Sequence, residues 1–348
     1  MQTDEIKKIL IIRLSALGDT IHTLPALYAL RKNFPTAQID WVVEDKACKF
    51  VENNPYINNV YVIKRKNRSL KSFFKLISKL RKEKYDIALD FQQLLKSGII
   101  LGLSGAKRRI TLDCGREFSF IFANEIVKTG RKLFDINYHV VNRNLELTAV
   151  LGCNKEEIKF PVPDFTNEYS IEIKNIIENI DKSKKTIVLA PATTWDNKHW
   201  TIEGWQKLIE TFKNDCNIII TASSKEKELT AKIMQGINKS EIIDLTGKTT
   251  LADLVYIYKN ADLVISPDSG SAHTAWISGA KSIITLFFAT SAKRTAPFGN
   301  NYVSFSPVIP CSPCMRKKCR LKQDKNKCST LITSDKVITA VKKLMFSV

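Results

Sequence analysis

Short apolar runs alternate with segments of helical spacing along most of this chain, and that alternation limits its fold more than any other feature. "KKILIIRL", "QIDWVVE", "NNVYVI" and "DIALDF" read as strands in the first half, with helical spacing in "PALYALRKNFP" and "SLKSFFKLISKLRKEKY". A second series begins near Lys185 with the strand-like "TIVLAP", "CNIIITAS", "EIIDLTG", "DLVISPDSG" and "SIITLFF". Between these lie "IEGWQKLIETFKN", "EKELTAKIMQGI", "LADLVYIYKNA" and "SAHTAWISG", which have the period of helices. Strands separated by helices imply parallel sheets with crossover helices. The series breaks at "FPVPDF", Phe160 to Phe165, where two prolines interrupt regular structure. The expected organisation is an N-terminal α/β domain over 1–164 and a C-terminal one over 165–348, joined by a linker at about 161–184. The last helix has the option of packing back on the N-terminal domain. In such sheets ligands lie beyond the carboxyl ends of the strands, so the cleft between two facing domains is the expected active site.

The 348 residues carry a formal net charge of +19, and both halves contribute to the excess. The partner is therefore expected to be anionic: nucleic acid, phospholipid headgroups or a phosphorylated substrate. No apolar run approaches the roughly 20 residues of a membrane span. "MQTDEIKKILIIRL" is not read as a signal peptide, because its apolar run is short, contains Arg13 and lacks a small-residue cleavage site. A cytoplasmic location follows as an expectation.

Four stretches carry chemistry. Asp19, in "RLSALGDTIHTLPAL", lies just past the first strand, and the G-x-G-x-x-G of a dinucleotide site is absent there. Asp19 reads either as the N-cap of the next helix or, if that helix starts near Pro25, as a loop carboxylate placed to act as a general base. His22, three residues on, packs beside Asp19 or contacts a ligand there. In "SPDSGSAHTAWISGA", Asp268, Ser269 and Gly270 follow an apolar strand and precede a helix, a setting that favours phosphate, and His273 lies one turn further on. In "APATTWDNKHW", Thr193, Thr194 and Lys198 supply hydroxyls and a cation suited to a diphosphate, or form a solvated polar loop. Glu226, in "TASSKEKEL", would hold a ribose hydroxyl or serve as a first-turn helix acid.

Together "IRLSALGDTIHTLPAL", "ATTWDNKHW" and "DSGSAHTA" make the chain resemble the lipopolysaccharide heptosyltransferases, glycosyltransferase family 9, along nearly its whole length. "GDTIHTLPAL" with "DWVVE" is more similar to the heptosyltransferase I branch than to II. The resemblance implies a GT-B fold, two facing Rossmann-like domains, and transfer of L-glycero-D-manno-heptose from ADP-heptose to Kdo of Kdo-lipid A. It implies inversion at the anomeric carbon with Asp19 as base. Donor contacts then fall on Thr193, Thr194, Lys198, Asp268, Ser269, Gly270 and His273, and on Glu226. Acceptor contacts fall on His22 and, through "LLKSG" and "YHVVNRN", on Lys96, His139 and Arg143. Ser269 stands where members often have threonine, which keeps the hydroxyl. Another family 9 transferase, or a non-enzymatic basic protein on membrane or nucleic acid, are the rival readings. No D-x-D occurs in the sequence, so neither a metal nor another cofactor is expected.

Two features lie outside this reading. "KRKNRSLKSFFKLISKLRKEKY", Lys64 to Tyr85, holds ten Lys or Arg against one acid, Glu83. Its apolar face is expected to pack on the sheet, and its basic face to be solvated or to meet the anionic inner-membrane surface from the cytoplasm. No nucleic-acid box is present, so no nucleic-acid partner is expected. Cys311, Cys314, Cys319 and Cys328 follow a C-x2-C-x4-C-x8-C spacing. They read as free thiols or as a structural metal site.

Overall fold

The computed structural model describes residues 6–66, 69–130 and 135–346. Asn67 and Arg68 of the basic stretch lie outside the described residues. The chain divides into two compact units, Met1–Asp164 and Phe165–Val348.

The first unit holds β1 (Lys8–Ile12), β2 (Gln38–Glu44), β3 (Asn59–Ile63), β4 (Ile87–Asp90), β5 (Arg108–Leu112) and β6 (Glu125–Val127). They form one sheet in the order β3-β2-β1-β4-β5-β6, with every pair parallel. β1 and β4 are buried nearly throughout, as a parallel sheet covered on both faces requires. Ile77 and Leu80 of the helix Leu70–Glu83, with Ile100 and Leu101 of Leu95–Leu103, pack on Leu10, Ile12, Val42 and Ala88. Ile77, Leu80 and Phe73 of the basic helix thus cover the sheet as expected, whereas Phe74, expected on the same apolar face, is exposed.

The second unit repeats the topology. Its strands are β7 (Lys185–Leu189), β8 (Cys216–Ile220), β9 (Ile242–Asp244), β10 (Leu263–Pro267), β11 (Ile283–Leu286) and β12 (Tyr302–Phe305). Their order is β12-β11-β10-β7-β8-β9. In both sheets the strand order reverses beside the unit's first strand, between β1 and β4 and between β7 and β10. Such a switch point opens a crevice at the carboxyl edge where ligands bind. The helix Ile202–Phe212 packs against this sheet, and its Gly204 has a packing reason: a Cβ there would meet the Trp200 ring at 2.7 Å.

The stretch 161–184 is not a plain linker, because it contains the helix Ile171–Asn179. Ile173 and Ile177 of that helix are buried, and Ser170 donates to Asp253 through its N–H at 2.7 Å and its hydroxyl at 2.8 Å. The last helix, Ser334–Phe346, is anchored in its own unit: Val337, Ile338, Val341 and Met345 belong to the core formed with Trp205, Leu208 and Ile265. Among the described residues no helix is long and apolar enough to cross a membrane.

Candidate functional site

In the first unit the chemistry gathers at the switch point. After β1 the chain turns into a short helix, Leu17–Ile21, and Leu24–Asn33 begins anew with Pro25 in its first turn. Asp19 therefore sits inside a helical turn rather than in a loop or at an N-cap. Its Oδ2 accepts the Ala16 N–H at 3.1 Å, and its Oδ1 faces Arg13 Nη2 at 2.8 Å. The Asp19 side chain remains 40% exposed, whereas that of Arg13 is 4% exposed. Arg13 also donates to the Phe91 carbonyl just past β4, so one guanidinium ties the ends of β1 and β4 to the carboxylate between them.

Asp90, at the end of β4, is fully buried. It accepts N–H groups from Gln92 and Gln93 at 2.9 and 3.0 Å and the Ser97 hydroxyl at 3.0 Å. Burial pushes its carboxyl up to about 6, against the hydrogen bonds and the nearby Arg13 charge. The fold therefore holds this proton more tightly than the unfolded chain does. The stabilisation is full below the unfolded value of 3.8 and is lost as pH rises through about 6. Asp90→Asn removes the effect, so denaturant unfolding should show the variant gaining about 3 kcal/mol on the wild type between about pH 4 and pH 8. A pH-independent difference would mean that Asp90 is not the titrating group.

His22 is buried, and its ring lies 6.1 Å, edge-on, from that of His139. His139 caps the helix Val140–Ala149, its Nδ1 accepting the Val141 N–H at 3.3 Å. Asn144, buried on that helix, donates to the His22 carbonyl at 2.9 Å and the Thr23 hydroxyl at 3.2 Å. The structure thus joins His22, His139 and Arg143 through one helix. Lys96 stands apart, donating to Glu44 Oε1 at 2.9 Å. Glu44 is buried at the end of β2 and also pairs with Arg65 at 3.5 Å.

The second unit shows the same design. Lys198 ends the short turn Asp196–Lys198 after β7, and its Nζ reaches Asp268 Oδ2 at 2.6 Å and the Asp268 carbonyl at 3.1 Å. A cation again ties the first strand's end to the strand across the switch point. Nζ also lies 4.7 Å from the Trp195 ring. Asp268 accepts the Thr290 hydroxyl at 2.6 Å and has His273 Nε2 at 3.5 Å. Burial opposes its charge, but the His273 hydrogen bond and the Lys198 charge hold its carboxyl well below the usual carboxylate range. A permanently charged, buried Asp268 is suited to positioning Lys198 and His273.

Ser269 caps the helix Gly270–Ile277, its Oγ accepting the Ser271 N–H at 3.2 Å. Thr193 is half-buried and Thr194 exposed on the loop after β7. His199 draws the remaining residues together: burial lowers its pKa, and the Thr193 backbone and the Glu226 charge pull it back up. Glu226 also accepts the Ser223 hydroxyl. Asn197 fixes the loop from beneath, donating to the Arg316 carbonyl at 2.9 Å. Sequence reading missed Arg13, Asp90, Asn144, His199 and Thr290.

The cysteine stretch runs beside this loop. All four thiols are free. Burial and then the neighbouring thiols push Cys328 up to about 11. Among the described residues no group of three or more His, Cys, Asp and Glu is arranged to hold a metal ion.

The profile of glycosyltransferase family 9 (heptosyltransferase) matches residues 73–325. The chain belongs to this family. Lipopolysaccharide heptosyltransferase 1 of Pseudomonas aeruginosa is 24% identical, the match covering 98% of each chain. A family 9 glycosyl transferase from Veillonella parvula superposes with a TM-score of 0.79 at 20% identity, over 99% of this chain and 98% of that one. An Escherichia coli heptosyltransferase solved with ADP superposes with a TM-score of 0.73 at 22% identity, over 97% and 99%. The fold of this family 9 member is GT-B, as the resemblance implied, and the protein is a glycosyltransferase of the heptosyltransferase class.

Proposed function

We propose that this family 9 enzyme transfers L-glycero-D-manno-heptose from ADP-heptose to Kdo of Kdo-lipid A, with inversion, in synthesis of the lipopolysaccharide inner core at the cytoplasmic face of the membrane. The observation that carries the reading is a matched pair: Arg13 with Asp19 at one switch point and Lys198 with Asp268 at the other. One offers a fixed, partly exposed carboxylate, the other a fixed cation. In this reading an acceptor hydroxyl gives its proton to Asp19 as its oxygen bonds to the anomeric carbon. The bond from that carbon to the diphosphate breaks on the opposite side, and ADP leaves with the electron pair. Lys198 and the N-terminus of Gly270–Ile277 stabilise the charge that ADP gains. Thr193, Thr194, Ser269 and Glu226 hold the donor, and His22, Lys96, His139 and Arg143 line the acceptor side.

ADP release with ADP-heptose and Kdo-lipid A tests this directly. Relatives named heptosyltransferase 2 and 3 also match 94% of the chain, which favours a later heptose as the second reading. Turnover only on an acceptor already carrying one heptose would select it. With protein groups in place of the D-x-D carboxylates, activity should survive EDTA. Loss of activity in chelator, restored by Mg²⁺ or Mn²⁺, would overturn that part of the mechanism.

A further inference from the structure

The first unit has an exposed apolar surface that the chemistry above does not use. The helices Leu70–Glu83 and Leu95–Leu103 cover the same face of its sheet. The short helix Ser119–Phe122 presses on the second of them so closely that a Cβ at Gly98 would meet the Ser119 carbonyl at 2.8 Å and the Phe122 ring at 2.9 Å. The three elements form one layer. It exposes Leu70 (77%) and Phe74 (61%) on the first helix, and Phe118 (72%) and Ile121 (63%) at the short one. Leu95, 42% exposed, is tied beside Phe118 by its N–H, which donates to Glu117 at 3.1 Å.

These side chains are not incidental edges of a core. On the first helix Phe73, Leu76, Ile77 and Leu80 suffice for packing, while Leu70 and Phe74, one turn apart, point away from it. Glu117 and Phe118 both adopt left-handed backbone, at φ 54° and 56°, a conformation costly for a bulky side chain. It holds the phenyl ring out in solvent. Beside Leu70 and Phe74 runs a row of exposed lysines, Lys71, Lys75 and Lys82, with Lys79 behind it. Among the described residues none of these four lysines has an ion-pair partner.

We propose that this layer is a membrane-docking surface: Leu70, Phe74, Phe118 and Ile121 insert at the headgroup boundary of an anionic bilayer while Lys71, Lys75 and Lys82 bind its phosphates. Charge complementarity selects the occupant. Apolar side chains flanked by unpaired cations are the pattern of interfacial helices, and cations near an anionic surface each contribute roughly five-fold to binding. The surface holds the enzyme against a lipid-borne acceptor. The inference rests on the first unit alone and stands whichever acceptor the enzyme uses.

Vesicle co-sedimentation of the full chain, without donor or acceptor, tests it. The chain should bind vesicles of phosphatidylcholine mixed with phosphatidylglycerol, lose most binding in high salt, and ignore pure phosphatidylcholine. Lys71→Glu/Lys75→Glu/Lys82→Glu should weaken partitioning by about 100-fold or more. Leu70→Ser/Phe74→Ser and Phe118→Ser/Ile121→Ser should each weaken it by at least about ten-fold. Circular dichroism melts show whether the variants fold. For the wild type, hydrogen exchange should show vesicle-dependent protection at 70–83 and 117–122. Failure of the folded wild type to bind anionic vesicles overturns the proposal, as do folded variants that bind normally or protection confined to other segments. So does a wild-type dimer that the serine variants convert to monomer without vesicle binding, because a second copy would then cover the layer.

Discussion

Asp19→Asn should lower kcat by about 10²–10⁴-fold, the usual cost of losing a general base, while ADP-heptose still binds near its normal affinity. The substitution is nearly isosteric. Asparagine keeps one oxygen to accept the Ala16 N–H, so the turn Leu17–Ile21 should persist. What it loses is basicity and the charge that faces Arg13 Nη2. Arg13 keeps its bond to the Phe91 carbonyl and the nearby Asp90 charge, so the guanidinium should hold its place. Stability should change little, since a carboxylate this exposed contributes weakly through its ion pair. Binding of ADP-heptose, measured by calorimetry, and kcat, measured by ADP release, separate the two roles. A lowered melting temperature with kcat intact would make Asp19 a structural element of the turn and leave the reaction without an assigned base.

The strands flanking both switch points were legible in the sequence because they are buried on both faces and so read as unbroken apolar runs. "QIDWVVE" coincides with β2, "TIVLAP" covers all of β7 but its first residue, Lys185, and "DLVISPDSG" contains β10. The edge of the first sheet was not legible. β5 opens with Arg108 and Arg109, and β6 is three residues long with Ile126 exposed. Neither offers a pattern that distinguishes it from loop. Asp19, Lys198 and Asp268 were singled out because each follows a strand, but Arg13 and Asp90, which also follow or end one, were not. Nor were those acting through another residue: Asn144 lies 122 residues from the His22 carbonyl it holds, and Thr290 lies 22 from Asp268. What Asp268 itself bonds to was hidden for a related reason. Its place before a helix suggests a ligand contact, but its burial and its bond to Lys198 only the packed chain reveals.

That bond shapes the second large effect. Lys198→Ala should lower kcat/KM by about 10- to 150-fold, corresponding to one charge-assisted hydrogen bond of about 1.5–3 kcal/mol at the diphosphate. It should also destabilise the protein by about 3–5 kcal/mol, because it leaves a buried Asp268 charge without its cation. The Lys198 and Asp268 side chains are 13% and 7% exposed, so solvent screens the pair poorly. A fall in activity by itself would therefore be ambiguous. Lys198→Met/Asp268→Asn resolves it by removing both charges and keeping the volume. The Thr290 hydroxyl, which donates to Asp268 Oδ2, still finds a carbonyl oxygen if the amide orients to it. Stability should then recover most of the loss while kcat/KM stays low, since no cation remains for the departing ADP. Recovery of both would make Lys198 a strut for Asp268 and move the diphosphate elsewhere. Lys207 is the control for the general field of a basic surface. It is exposed on Ile202–Phe212 and, among the described residues, pairs only with the exposed Asp335, so Lys207→Ala should leave both kcat/KM and the melting temperature unchanged under the same salt. An equal loss in Lys207→Ala would assign the effect to overall charge and not to Lys198.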